Sequence, residues 1–191
     1  MPRFALLQHK IENGDVWVDE YDVPEAYDID SSEGVSITPV HEQTRLLYKN
    51  RSARKTDYVA GIFSFPVVSR KFAELLELLH EGHLEYLPVR LVCRRTGDAD
   101  ETYFLLNILD NVPCFDWEKS RYEETLPGGT PFGITKFSIR EAELEKRNIA
   151  RIAEIPSLIL VSDLLRKKIE EQALTGVEFK ELAEYSDLEL P

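Results

Sequence analysis

FPVVSRKFAELLELL, residues 65–79, and LILVSDLLRKKIEEQ, residues 158–172, share the pattern that decides the fold. In each stretch an apolar pair precedes a serine, Ser69 or Ser162, and apolar residues then recur at spacings of three and four. A serine hydroxyl at the start of a helix accepts a hydrogen bond from the free amides of the first turn. Neither serine lies in a G-x-S-x-G motif. We therefore predict that Ser69 and Ser162 are structural helix caps and that neither is a nucleophile.

The similarity continues beyond both helices. Gly82 and Gly176 are placed to end them, and a strand pattern follows each glycine. Between the two copies, residues 84–95 and 101–110 flank the turn-forming TGDAD, which predicts a β-hairpin. A strand–helix–strand unit hides its apolar helix face only by packing on a sheet. The sequence thus predicts an α+β fold, a mostly antiparallel sheet with two helices from a degenerate strand–helix–strand repeat packed on it.

The 191 residues are enough for one domain with a substantial core. We predict an acidic and aromatic N-terminal segment, residues 1–57, that packs on an α+β region, residues 58–191. One part of the second region stays open, because residues 141–148 are compatible with a helical turn or a charged loop. In residues 149–155 the isoleucines recur at a spacing of three, which favours a helix, although a strand that ends before Pro156 also fits.

Composition indicates a cytoplasmic protein. The sequence has no apolar run long enough to span a membrane, and its first ten residues lack the features of a signal peptide. Cys93 and Cys114 are not in a CxxC pair, so we expect free, buried thiols in a reducing compartment.

Net charge is −12, and the acidic residues concentrate at the two ends of the chain. Such a field repels nucleic-acid phosphates and anionic lipid, and it attracts a basic partner. Solubility alone is the simpler explanation of an acidic surface. The charge therefore argues against nucleic-acid and membrane partners without naming the partner that binds.

The order of several short motifs resembles a known family. FPVVSRKFAELLE is followed by LEYLPVRL and by TYFLLNILDNVPCFDWEKS, and the C-terminal part carries LILVSDLLRKKIEEQALTGVEF. Over roughly residues 58–180 this is similar to immunity protein family eleven of bacterial polymorphic toxin systems, first defined on a myxobacterial protein. The resemblance implies a cytoplasmic protein without catalytic activity or cofactor, which neutralises a cognate toxin by binding it. Many such toxins act on nucleic acid and are basic, which fits an acidic inhibitor.

We expect the toxin contacts to come from the acidic and aromatic segment near the N-terminus, because aromatic residues mixed with charge are typical of interface anchors. The candidate contact residues are Trp17, Asp19, Glu20, Tyr21 and Asp22.

The family resemblance adds Asp116 and Ser120, which would serve either as a pair that fixes a turn or as a contact point. The sequence leaves both options open. It also leaves open whether the chain forms a homodimer.

Other residues suggest chemistry less strongly. His80 and His83 form the pair HEGH, but Gly82 interrupts the helix that a metal pair needs. The glycine-rich residues 126–133 lack the lysine of a phosphate-binding loop. The remaining candidates form two groups. The first is the carboxylates in or after the hairpin, Asp98, Asp100, Glu101, Asp110 and Glu118, and the second is one basic cluster, Arg45, Lys49, Arg51, Arg54 and Lys55.

For these groups the simple interpretation is preferred, namely turn residues, solvated charges and a loop that balances nearby acids. The alternative function is a small enzyme or ligand-binding domain that uses HEGH and the carboxylates near Asp116. That alternative predicts a concave pocket with convergent polar groups.

Overall fold

The computed structural model of the protein describes residues 4–22, 34–36, 44–62, 65–79, 83–124 and 129–186. Within these residues two α-helices, α1 (Arg70–Leu79) and α2 (Asp163–Glu171), accompany fourteen strands. The strands are β1 (Phe4–His9), β2 (Trp17–Val18), β3 (Glu20–Asp22), β4 (Thr44–Tyr48), β5 (Tyr58–Gly61), β6 (Val67–Ser69), β7 (Leu84–Cys93), β8 (Ala99–Ile108), β9 (Asn111–Val112), β10 (Arg121–Glu124), β11 (Pro131–Lys136), β12 (Ile149–Ile152), β13 (Ile155–Ser162) and β14 (Val177–Glu181).

The predicted α+β fold is wrong, because the protein is mostly β and its strands form several sheets. A five-stranded sheet has the order β14-β1-β13-β12-β9, a seven-stranded sheet has the order β2-β5-β6-β8-β7-β4-β3, and β10 pairs with β11. The two predicted helices exist, but they are only a small part of the architecture. Many of the strands are short and lack a clear alternation of apolar and polar residues, so the sequence indicates fewer strands than the protein has.

The seven-stranded sheet almost closes on itself as a barrel. Strands β2 and β3 follow each other along the chain, yet they lie at opposite ends of the strand order. β2 pairs with β5, β3 pairs with β4, and between them the Asp19 N–H donates to the Leu47 carbonyl at 3.1 Å. Residues 16–22, which we call the closing strand, therefore join the two edges of the sheet.

Both strand–helix–strand units form as predicted, as β6-α1-β7 and β13-α2-β14, and β7 pairs with β8 in the predicted hairpin. At the start of α1 the Ser69 hydroxyl accepts from the Phe72 N–H at 3.2 Å. At the start of α2 the Ser162 hydroxyl accepts from the Leu165 N–H at the same distance. Both contacts satisfy a first-turn amide that the helix itself leaves without a partner.

Residues 149–152 form β12 and residue 155 begins β13 after a short turn, so the helical interpretation of the isoleucine spacing is wrong. All four residues of β12 are buried, and the pairing of β12 with β13 shifts register between Arg151 and Ile152. A strand that is covered on both faces loses the alternation that identifies strands in a sequence. Upstream, Glu141–Leu144 form a 3₁₀ turn. Residues 116–133 contain β10 and the start of β11.

Three apolar clusters make up the core. The helix core lies where α1 and α2 meet both large sheets, and includes Leu7, Tyr58, Phe72, Leu106, Val161 and Leu165. The barrel core fills the seven-stranded sheet, and includes Val18, Leu46, Val59, Leu87, Leu91 and Leu105. The hairpin core lies between the five-stranded sheet and the β10-β11 hairpin, and includes Phe4, Leu6, Phe115, Ile134, Leu144 and Ile152.

His9, the last residue of β1, makes the stability of the fold dependent on pH. Its ring is stacked on Tyr58, with 3.9 Å between centroids and 8° between planes, and burial lowers its pKa from 6.5 to about 4. Between these two pH values the unfolded chain binds a proton that the folded chain does not bind. Stability is therefore fully present above pH 6.5, and it is lost as the pH falls toward 4.

We expect the free energy of unfolding to fall by about 2 kcal/mol between pH 7 and pH 5 because of His9. Urea titrations at the two pH values measure this loss. His9→Phe retains a ring against Tyr58 but cannot be protonated, so it is expected to remove most of the pH dependence in this window. An equal loss of stability in His9→Phe would assign the effect to other groups.

Candidate functional site

The closing strand presents alternate side chains to opposite sides of the barrel wall. Val16 and Val18 point into the barrel core and are 1% and 0% exposed. Trp17 lies on the outer face and is 45% exposed. The alternation does not extend to Tyr21, which is 44% exposed but pairs with Leu46 of the barrel core and therefore lies on the same face of the sheet as Leu46. The barrel interior selects the valines, and the period of two along a strand then places Trp17 in solvent.

Each of these two aromatic residues lies near one further large apolar side chain. Trp17 lies opposite Ala60 of β5, and Ile62 follows two residues later on the same face, with 57% of its surface exposed. Phe65, which is half-buried against the barrel core, meets Tyr21 edge to face, with 6.1 Å between ring centroids. We call Trp17, Tyr21, Ile62 and Phe65 the outer patch. Grouped exposed apolar residues with polar surroundings are typical of protein–protein contact sites.

The acidic residues of the closing strand are held in ion pairs. Asp19 lies 2.5 Å from the Lys49 ammonium group, and its hydrogen bond to Lys49 lowers the pKa of the carboxyl. Glu20 lies 2.8 Å from Arg94, and Asp22 lies 4.0 Å from Arg45. The charge that the sequence attributes to this strand is thus largely compensated within the molecule.

The basic cluster provides several of these partners. Besides Arg45 and Lys49, Arg54 contacts Asp15 at 2.7 Å and Glu12 at 2.8 Å, and Lys55 contacts Asp100 at 2.7 Å. Pairing with Arg54 lowers the pKa of both Asp15 and Glu12. The basic residues of this cluster that form pairs therefore balance nearby acids, as the simpler interpretation of the sequence expects.

Asp116 and Ser120 lie elsewhere, in the turn that precedes β10 at the hairpin core. The Asp116 carboxylate accepts from the Lys119 N–H at 3.1 Å, and the Ser120 hydroxyl contacts both the N–H and the carbonyl of Ser138. Lys119 also lowers the pKa of Asp116. Both residues are almost fully buried, at 6% and 9% exposed. Their side chains are used to hold the turn, and the fold does not bring them to the outer patch.

The remaining candidates do not converge on one site. Asp98 and Asp100 bond to threonines two residues away, and Glu101 pairs with Arg90. His83 is largely exposed, with its ring 4.0 Å from Asp110. His80, Gly82 and residues 126–128 of the glycine-rich segment lie outside the described residues. Asp110 and Glu118 join no candidate metal site, since no three His, Cys, Asp or Glu side chains of the described ranges are grouped to hold an ion.

Two clefts are present at α2. One of about 300 Å³ lies at the start of the helix, beside Lys146, Arg147 and Asn148, and a wider one of about 690 Å³ lies between the helix and residues 181–184. The described residues that line them include no histidine or cysteine and none of the carboxylates near Asp116. Cys93 and Cys114 are both free and buried. The polar groups of the alternative enzymatic hypothesis are thus not gathered in either cleft.

Sequence reasoning missed two members of the outer patch, Ile62 and Phe65. Both lie in an apolar and aromatic stretch, YVAGIFSFPVV, that predicts a partly extended segment. Nothing in that stretch distinguishes the exposed Ile62 from its buried neighbours, because exposure there is decided by how β5 and β2 pair. The only signal in the sequence that some of these residues are exposed is that the apolar run is longer than one strand needs.

The sequence model of the Immunity protein family (Imm11) matches residues 5–184, almost the entire chain. This protein belongs to the Imm11 family. The match includes the closing strand and β1, which the short motifs do not cover. A comparison with curated proteins gives no match. Families of immunity proteins are generally non-catalytic and act on a toxin partner. No helix of this Imm11 protein, within the residues that the structure describes, is long and apolar enough to cross a membrane.

Proposed function

We propose that this Imm11 protein neutralises a cognate toxin in the cytoplasm by binding it directly, without catalysis or cofactor, and that the outer patch is the centre of the interface. The observation that carries the proposal is the exposure of Trp17 and Tyr21 on the closing strand, which pairs with both barrel edges, and of Ile62 next to the strand that pairs with Trp17. Exposed aromatic side chains on a rigid support lose little entropy on binding and commonly supply most of the affinity.

The partner in this proposal is a basic toxin. A net charge of −12 would attract such a protein over a distance and accelerate its encounter. Asp19, Glu20 and Asp22 are already paired with basic residues, so their main role in the complex is to surround the patch with a polar rim. Affinity then comes mainly from the burial of apolar surface, and net charge mainly affects the association rate.

The test is Trp17→Ala combined with Tyr21→Ala, measured by titration calorimetry against the toxin encoded beside this protein. We expect affinity to fall about 1,000-fold, because two hot-spot aromatics contribute about 2 kcal/mol each. The unfolding midpoint should change little, since both side chains are nearly half exposed. Protection of cells that express the toxin should fall in parallel.

Leu78→Ala is the matched control. Leu78 is 81% exposed on α1, and its truncation also removes exposed apolar surface, but far from the closing strand in sequence and in another element. We expect this variant to bind as the parent does. If the double variant binds with parental affinity, the outer patch is not the interface. If Leu78→Ala weakens binding instead, the interface includes the helix face.

A further inference from the structure

The two large sheets contain the same five-stranded arrangement. Five neighbouring strands of the seven-stranded sheet have the order β2-β5-β6-β8-β7. In this order β2 and β5 are parallel, and the three following pairs of neighbours are antiparallel. In the five-stranded sheet β9-β12-β13-β1-β14 has the same sequence of orientations. Each arrangement also has its helix in the same place, α1 between β6 and β7 and α2 between β13 and β14.

The residue register agrees as well as the strand order. In the first arrangement Val67 pairs with Leu105, and in the second Leu160 pairs with Leu6. Residue 160 lies 93 positions after residue 67, and residue 105 lies 99 positions after residue 6. The same two offsets relate a second pair. Asn107 pairs with Glu85 in the first arrangement, and the residues at the equivalent positions of the second arrangement, Gln8 and Glu178, also pair.

The strands that occupy equivalent positions are similar in sequence. β1 reads FALLQH, and the equivalent residues 103–108 of β8 read YFLLNI. The two central leucines are identical, Phe4 corresponds to Tyr103, and Gln8 corresponds to Asn107. This alignment follows from the pairing registers and not from a search for similarity.

Polar contacts repeat too, and they cross between the two arrangements. The Ser69 hydroxyl donates to the Asp57 carboxylate at 2.7 Å, and the Ser162 hydroxyl donates to the Asn148 side-chain oxygen at the same distance. Asp57 also accepts from Thr175, beyond the end of α2. Reciprocally, the Asn148 amide donates to the carbonyl of Leu79, the last residue of α1.

Chain order shows that one strand is exchanged. If the chain is divided in the β7-β8 turn, β1–β7 form the first repeat and β8–β14 the second, and β1 and β8 are the first strands of the two repeats. Yet β8 lies between β6 and β7 of the first repeat, and β1 lies between β13 and β14 of the second. The additional strands enter at equivalent places, β3 and β4 between β2 and β5, and β10 and β11 between β9 and β12.

We propose that this protein is a fused, strand-exchanged dimer of one ancestral unit, in which each repeat has a strand-binding cleft that is filled by the first strand of the other repeat. The ligand of each cleft is an extended apolar strand with two central leucines. Leu6 and Leu105 occupy equivalent positions in these strands, and they are 1% and 2% exposed. An empty cleft would expose two strand edges and the adjacent apolar core, so neither repeat is stable without the strand of the other.

The first test divides the folded full-length protein between the repeats. A protease site is inserted after Gly97, which lies in the exposed β7-β8 turn and has open space around its Cα. After cleavage we expect one 1:1 complex on a native column, with a single urea transition whose midpoint rises with protein concentration, because the fragments unfold when they separate. Two separately folded fragments, or a midpoint that does not depend on concentration, would overturn the exchange.

The second test asks whether the clefts are equivalent. In full-length Leu6→Asp a buried charge weakens the strand in the second cleft, so the thermal midpoint should fall and a peptide of residues 2–11 should restore it. A peptide of residues 101–110, which contains the part of β8 that is equivalent to β1, should also restore it, with an affinity within about tenfold. A peptide with the order of residues 2–11 reversed is the control, and should have no effect.

If neither strand peptide raises the midpoint, or if the reversed peptide does so equally well, the cleft does not select this strand. Rescue by the β1 peptide alone would show that the clefts are not equivalent. Either result would overturn the proposal. Both tests measure folding without a toxin, so their outcome is independent of the function proposed for the outer patch.

Discussion

Gly176→Ala is expected to lower the free energy of unfolding by at least about 3 kcal/mol. Gly176 ends the turn after α2 with a φ of +79°, and an added Cβ would lie 2.2 Å from the Tyr58 carbonyl oxygen and 2.8 Å from Thr56 Cβ. These atoms cannot move easily, because the Tyr58 N–H donates to the Thr175 carbonyl and the Lys10 N–H donates to the Gly176 carbonyl, each at 3.0 Å. Substitution must therefore separate the turn from β5.

Gly97→Ala is the matched control for backbone strain. Gly97 has nearly the same φ, +75°, but an added Cβ would have no atom within 4 Å. Its substitution therefore lowers the free energy of unfolding only because an alanine must adopt a left-handed backbone conformation, which costs about 1 kcal/mol. Urea unfolding of the two variants separates strain from steric overlap. Equal losses of stability would mean that the close approach of Gly176 to β5 is not tight in solution.

Asp57→Ala is expected to destabilise the protein by about 3 kcal/mol, because hydrogen bonds to a charged acceptor each contribute about 1.5–3 kcal/mol and their losses are only partly additive. The carboxylate accepts from the Ser69 hydroxyl at 2.7 Å and from the Thr175 N–H and hydroxyl at 2.8 and 2.9 Å. One side chain thus connects the start of α1 to the turn after α2. Chemical unfolding monitored by circular dichroism measures the effect.

Asp163→Ala is the comparison for loss of an acidic charge alone. Asp163 is exposed in the first turn of α2, where an acid stabilises the helix dipole by less than about 1 kcal/mol. Asp57→Asn should give an intermediate loss, since the amide oxygen can still accept from Ser69 but carries no charge. A loss in Asp57→Ala no larger than in Asp163→Ala would show that the link between the helix ends contributes little.

The two helical units and the β7-β8 hairpin could be predicted because their signals are local. Phe72, Leu75, Leu76 and Leu79 repeat at helical spacing, and the TGDAD turn lies between two apolar runs. Residues 149–155 could not be predicted in the same way. Burial of both faces of β12 removed the alternation of a strand and left an isoleucine spacing that resembled a helix.

The candidate site shows the same limit. Trp17 and Tyr21 could be proposed from sequence because aromatic residues in an acidic segment are unusual, but the exposed Ile62 looks like a core residue until the barrel closes. The acids of the closing strand look like free charge until the fold brings Lys49 and Arg94 to them. Both facts depend on residues that are 30 to 75 positions apart in the chain.

The sequence by itself determined the elements whose signals lie within one turn or one hairpin, namely the two serine-started helices and the strands beside them, together with the motif order that indicated the family. Only the tertiary structure decided that these units lie in two different sheets, that one sheet nearly closes, and that β1 and β8 are exchanged. The physical reason is that strand pairing links residues far apart in the chain, so the partner of β1 is specified by β13 and β14, and no local pattern contains that information.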